Sequence, residues 1–500
     1  MTTRQQSVPD GLVEAFWEYE RALMADDVAT LDRLFAPGPT TLRGGADGLL
    51  VGHDQISAFR SSRGGTPQRR IVQTHVQTVD DDHALVVAVT ELARGGRGQQ
   101  TQLWVRTADG WRVTAAHVSA PGPALDTRIW RLVGDPLVPA IGPGPLDGET
   151  VAVKDVYAVR GERIGAGNPA WLAEAREEPV HARAVELLLE AGASLRGIAR
   201  TEEFAWSLAG VNAHYGAPPN PRAPRRAAGG SSSGSASAVS LGQASIGLGT
   251  DTAGSIRVPA AYQGLYGIRT THGAASTYAV LPLARSFDAV GWLTRDAGLL
   301  RRVGEVLLPP GPRNPASDLV SVPGLTGLAE PEVAAVVDAF AAEHGAMRES
   351  WDLTELPAWL AAFQTVQAWE AWHDLGPWVA PRLDEIGPEV RARFEAAALV
   401  DDEQAAAARQ VVGRASARIR ELVGERVVVL PSAPSVAPLL GADRSAGRQA
   451  TLLLTGLAAL AGLPAVGLPG RTRSGLPTGV CLLAAPGRDR DLLELAIDLT

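Results

Sequence analysis

Apolar positions follow one rhythm early in the chain and another later. Leu12, Phe16, Tyr19 and Leu23 recur at helical spacing, and Val28, Leu31, Leu34 and Phe35 continue as a second short helix. Strand-like runs follow at 70–79, 84–91, 99–106 and 111–119. Asp80-Asp81-Asp82, Gly95-Gly96 and Asp109-Gly110 are turn signals between them, so antiparallel pairing is expected. Helices followed by a curved sheet predict an α+β cone over residues 1–120. The Pro- and Gly-bearing stretch 119–125 closes this pattern, and 121–145 reads as linker and lead-in. Beyond it, helical stretches at 182–191, 331–343, 358–373 and 389–422 alternate with short buried strands at 151–153, 427–430 and 465–468. That predicts an α/β domain, a mixed central sheet covered by helices, over 146–500.

Two segments need separate treatment. The uncharged run 451–469 is long enough to raise the question of a membrane span. Gly456, Gly462 and Pro464 punctuate it, and no flanking charge asymmetry supports insertion, so a buried helix followed by a buried strand is expected. The stretch 229–254 is rich in Gly, Ser and Ala, yet it lies between periodic apolar segments, unlike a disordered linker.

Composition narrows the function. Apolar residues are 45% and charged residues 20% of the 500, as in a soluble globular protein. A net charge of −9 gives no electrostatic reason to expect nucleic acid or an anionic membrane as partner. Residues 1–10 are polar without an apolar core, so neither a signal nor a transit peptide is read, and a cytoplasmic location is expected. The single cysteine, Cys481, sits in an apolar stretch and reads as a buried thiol. No metal or cofactor is expected.

Of the 46 basic residues, only Lys154 is a lysine. A surface charge tolerates lysine or arginine equally. A group that must lose its proton near neutrality does not, because guanidinium stays charged while an ammonium can be desolvated into a base. Lys154 ends the apolar run Val151-Ala152-Val153. Two further segments carry chemistry: the serine-glycine loop Gly229-Gly230-Ser231-Ser232-Ser233-Gly234-Ser235, and the tight loop Gly249-Thr250-Asp251-Thr252-Ala253-Gly254-Ser255-Ile256-Arg257.

These three motifs, in this order, resemble the amidase signature family, and the likeness runs over residues 126–500. The resemblance implies hydrolysis of a carbon–nitrogen amide bond by a Ser–Ser–Lys triad: Ser255 as nucleophile, Ser231 as the bridging serine, Lys154 as base. Serine is a poor nucleophile until a base within hydrogen-bond reach takes its proton, and a neutral Lys154 acting through Ser231 meets that need. The resemblance also implies a cis peptide at Gly230–Ser231, and an oxyanion hole built from the backbone N–H groups of Thr252, Ala253, Gly254 and Ser255. Ala253 stands where the family commonly has glycine, so a left-handed backbone there would be strained. Asp251 and Arg257 are read as structural.

Residues 201–230 and 266–308 resemble the branch that contains indole-acetamide hydrolase and a chloroplast import receptor. The receptor members are degenerate, so a non-catalytic binding or assembly protein is the competing class; the intact triad argues against it. Trp206 and Gln263 are candidate pocket residues, as are Tyr262, Tyr278 and Trp369, with a plain packing role the favoured reading for each. The expected substrate is a small amide or ureide.

The first 120 residues resemble the AtzH-like, NTF2-type cone through Phe16-Trp17-Glu18-Tyr19-Glu20, Thr41-Leu42-Arg43, Gly52-His53-Asp54 and the closing runs at 102–106 and 110–119. Trp111, Val113, Ala115 and His117 alternate onto one strand face. Tyr19, Arg43, Gln102 and His117 are then expected to converge on a small anion, with Arg43 as a carboxylate fork. Gly44 replaces the aromatic usual after that arginine. A dimerisation or delivery module is the alternative, and a homodimer is expected.

Overall fold

The computed structural model describes residues 8–45, 48–62, 68–92, 97–119, 125–311, 318–442 and 445–500. The chain divides into two compact units, Met1–Leu125 and Asp126–Thr500. The Gly95-Gly96 turn and most of the boundary stretch 119–125 lie outside the described residues.

In the first unit the helical spacing is realised by Leu12–Ala25 and Val28–Leu34, the latter capped by the Asp27 side chain, which accepts from the Thr30 N–H at 3.0 Å. Leu12, Phe16, Tyr19 and Leu23 pack with Trp104, Val113 and Ala116 in one core. The sheet order is Gly48–Val51, Leu42–Gly45, Gly110–Ser119, Arg97–Thr107, His83–Leu92, Arg69–Thr78. The last four form the antiparallel meander read from the turn signals, while Leu42–Gly45 joins Gly110–Ser119 in parallel. The helix His53–Ser62 was not anticipated, because it carries too few apolar residues to show a period.

One expectation fails here. A register shift between Leu103 and Trp104 sets Trp104 against Val113 but Leu103 against Ala115, leaving Thr114 as an extra residue. This bulge turns the rest of the strand over. Trp111, Val113 and Ala116 are buried, whereas His117 is exposed.

The second unit is an α/β layer structure. From one edge its sheet runs Met347–Arg348, Leu319–Ser321, Val427–Pro431, Pro477–Leu483, Ala465–Arg471 and Tyr266–Arg269. It continues through Ala289–Thr294, Ile246–Asp251, Thr150–Lys154 and Ser194–Ala199 to Trp130–Val138. The last strand corrects the expected domain start: residues 126–145, read as lead-in, belong to this unit, because Trp130–Val138 pairs with Ser194–Ala199 and Trp130 is buried. The stretch 389–422, read as one helix, is two, Pro388–Ala397 and Asp402–Val423. The break is fixed by a capping box in which Asp401 and Gln404 bond each other's backbone. The run 451–469 does form a helix, Ser445–Ala461, followed by the strand Ala465–Arg471. No helix among the described residues is long and apolar enough to cross a membrane.

Candidate active site

Three chain segments meet at the carboxyl ends of adjacent parallel strands, where α/β sheets place their ligand sites. Thr150–Lys154 pairs in parallel with Ile246–Asp251, Val153 opposite Leu248. Lys154 ends the first strand, and the loop to Ser255 leaves the second. The serine-glycine segment enters the buried helix Ser233–Ser240 directly. Its small residues are a packing requirement: a Cβ at Gly234 would lie 2.4 Å from the Arg200 carbonyl oxygen. The Gly230–Ser231 peptide is cis. The Ser232 N–H donates to the Ser255 carbonyl at 3.3 Å, tying the two serine loops together.

Lys154 is fully buried, with its Nζ hydrogen-bonded to Ser231 Oγ and to Thr250 Oγ1, both at 2.7 Å. Burial pulls the amine down from 10.5 to about 7, against the opposing pull of Asp288, Asp251 and Glu202. The sole lysine is therefore largely neutral in mildly alkaline solution.

The Ser255 loop is held from below. Asp251 is buried and takes a fork from Arg257, with Nε to Oδ2 at 3.1 Å and Nη2 to Oδ1 at 2.9 Å. Arg269 donates to the Asp251 carbonyl and, at 2.9 Å, to that of Phe287. Burial acts to raise the Asp251 carboxyl, but Arg257 and Arg269 hold it well below the usual carboxylate range. Arg257 also donates to the Thr455 carbonyl at 3.0 Å, and Thr455 Oγ1 to that of Ala253 at 2.6 Å. Asp251 and Arg257 thus brace the loop, as read from the sequence.

The loop geometry settles two points. The left-handed backbone falls on Gly254, φ 117°, and Ala253 is not among the positive-φ residues, so alanine there is unstrained. The Gly254 N–H donates to Asp251 Oδ1 at 2.7 Å. It is committed to bracing and cannot serve in an oxyanion hole. Among the described residues, the N–H groups of Thr252, Ala253 and Ser255 have no protein acceptor.

Beside Ser255 is a pocket whose walls include Trp206, Thr252, Ala253, Leu283, Gln367 and Leu452. Trp206 lines this pocket, against the favoured packing reading; its Nε1 donates to Gln367 Oε1 at 3.3 Å. Gln263 is buried elsewhere and donates to the Ala228 carbonyl at 3.0 Å, just ahead of the serine loop. Tyr262 packs against Gly229, Tyr278 is exposed, and Trp369 stacks on His373 with ring centroids 3.8 Å apart. Leu283, Gln367 and Leu452 come from distant helices and loops with no motif around them, so no sequence signal marks them.

The comparisons with known proteins place the chain in a family. Residues 141–336 match the model of the family described as Amidase. A 398-residue alignment to Amidase 1 of Arabidopsis thaliana is 36% identical and covers 71% of this chain and 93% of that protein. The chain belongs to the amidase family. Amidases hydrolyse carbon–nitrogen amide bonds, and this chain is one of them. Among solved structures, one described as an unexpected vestigial protein complex revealing the evolutionary origins of an s-triazine catabolic enzyme has a TM-score of 0.66 and 28% identity. It covers 72% of this chain and 84% of its own. The allophanate hydrolase of Kluyveromyces lactis has a TM-score of 0.65 and 27% identity, covering 71% of this chain and 62% of its own. Residues 3–123 match the AtzH-like family model.

In the AtzH-like unit, Tyr19 is buried in the core, its ring 6.2 Å from Phe35 and 6.3 Å edge-on to Trp104. Gln102 is buried and accepts from Trp104 Nε1 at 3.1 Å. Arg43 stacks over Phe59 at 4.4 Å. His117 does not join them. It lies on the opposite face against Gly44, where a Cβ would come within 2.8 Å of its Nδ1, so the missing aromatic and the outward histidine are one local arrangement. Arg60, which the sequence did not single out, does come close. It is buried, stacks over Phe35 at 3.9 Å and donates to the Leu31 carbonyl at 3.1 Å.

Proposed function

We propose that the amidase unit hydrolyses a small amide or ureide through an acyl-enzyme on Ser255. The observation that carries this is a buried Lys154, its amine lowered to about 7, at 2.7 Å from Ser231 Oγ. Ser255 Oγ attacks the amide carbonyl and passes its proton through Ser231 to Lys154. The tetrahedral oxyanion is met by the N–H groups of Thr252, Ala253 and Ser255, aimed before charge develops. The proton returns to the leaving nitrogen, the C–N bond breaks, and water repeats the sequence on the ester. The allophanate hydrolase among the structural relatives supports a ureide as well as a simple amide. A fluorophosphonate should label Ser255 in the folded protein at a rate that falls at least a hundredfold in Lys154→Met. Absence of labelling in folded wild type sinks the proposal.

A second proposal concerns the AtzH-like unit: it binds a small anion such as a carboxylated urea. The supporting observation is two buried donors without acceptors among the described residues, Arg60 Nη2, whose guanidinium feels Tyr19 and Arg43, and Gln102 Nε2. Arg43→Ala in the full chain should abolish binding of that anion to a Ser255→Ala protein. Unchanged binding refutes it.

A further inference from the structure

Among the described residues, the pocket at Ser255 has one charged side chain in its wall, Arg448. It lies in the first turn of the helix Ser445–Ala461, a turn with no acidic residue. A cation there opposes the helix dipole, so local helix stability gives no reason for it. Arg448 is exposed at the pocket rim and makes no hydrogen bond or ion pair among the described residues. Arg393, on the helix Pro388–Ala397, donates through Nη2 to Glu389, while its Nη1 is buried without an acceptor among the described residues. The two guanidinium groups feel each other: burial first, and Arg448 second, push Arg393 down to about 10. Glu389 attracts both guanidinium groups, and Glu202 also acts on Arg393. A second guanidinium kept beside a partnered one, at the rim of an otherwise uncharged pocket, is a fork waiting for an anion.

We propose that the substrate amide carries a carboxylate and that Arg448, at the rim of the Ser255 pocket, binds it. This rests on Ser255 being the nucleophile, and it narrows the substrate class from small amides and ureides to those bearing an anionic group. A neutral amide lacks the group that the fork would pair with. The preference should therefore appear in binding as well as in turnover. Trp206 and Leu452 would flank the uncharged part of the molecule, with the scissile carbonyl toward Thr252 and Ala253.

The test separates this proposal from the one it rests on. In the full-length Ser255→Ala protein, ligand-observed NMR would give dissociation constants for malonamate, succinamate and N-carbamoylglycine, each against its uncharged amide. At least one carboxylate is expected to bind tenfold or more tighter than its neutral counterpart. Arg448→Gln should bring that ratio close to one, and Arg448→Lys should retain part of it. No carboxylate preference in the Ser255→Ala protein, or a preference that survives Arg448→Gln, overturns the proposal. Fluorophosphonate labelling of the wild-type protein reports separately on the nucleophile, so failure of the acyl-enzyme reading and failure of this proposal are told apart.

Discussion

Replacing Lys154 by methionine removes the amine while leaving an unbranched chain of similar length in the same buried slot. Burial holds this amine at about 7 against an ordinary 10.5, which corresponds to about 5 kcal/mol against the charged form. The unfolded lysine keeps its proton up to 10.5, so between about 7 and 10.5 the unfolded chain binds more protons than the folded one. Wild-type stability should therefore rise with pH across that window, and the methionine variant should lack this slope. At pH 8 the variant escapes about 3 kcal/mol of deprotonation cost. It loses two hydrogen bonds, to Ser231 and Thr250, worth about 1 kcal/mol each. Its Tm should accordingly be no lower than that of wild type. Its kcat should fall at least about 10³-fold, the scale of a lost general base. Wild-type kcat/KM should climb as pH rises through about 7, with Asp288, Asp251 and Glu202 holding the midpoint up. That limb should vanish in the variant. Lys154→Arg should be as inactive, because guanidinium cannot lose its proton, and should melt below wild type because the buried charge cannot be discharged. A methionine variant within tenfold of wild-type kcat, or one that keeps the limb near pH 7, would refute the reasoning.

Other substitutions probe the support of the site. Gly254→Ala places a Cβ 2.9 Å from Thr455 Cγ2 on a backbone at φ 117°. It should cost about 1–3 kcal/mol in denaturant unfolding and depress kcat sharply. Ala253→Gly should change stability by less than about 1 kcal/mol and leave the loop competent, because no positive φ is required there. Asp251→Asn removes the charge that Arg257 and Arg269 share, and chemical denaturation should show a loss of about 3–5 kcal/mol. Asp401→Ala removes the cap that separates two helices and should lower stability by about 1 kcal/mol with unchanged kcat.

Much of this protein is legible along the chain because its chemistry is carried by short contiguous motifs. A lone lysine closing a buried strand and two serine loops in fixed order identify the reaction class before any contact is known. Residue type is decisive there, since an amine, unlike a guanidinium, can be buried neutral, and a hydroxyl can both take up and pass on a proton. Helical spacing and turn residues likewise carry the first unit's meander and the helix–strand run at 451–469, since local periodicity and turn chemistry act over a few residues.

Tertiary structure alone decided what depends on register and on distant neighbours. A single bulge at Thr114 turned His117 outward, because one extra residue reverses every side chain beyond it. The Gly254 N–H was taken from the oxyanion hole by a carboxylate three residues earlier, a choice of rotamer and loop path that composition does not encode. Gln367, Arg448 and Leu452 reached the pocket from helices more than a hundred residues beyond Ser255. No local pattern announces them. The bond to be cut is written in the motifs, but the walls that choose the substrate exist only after the chain has closed around them.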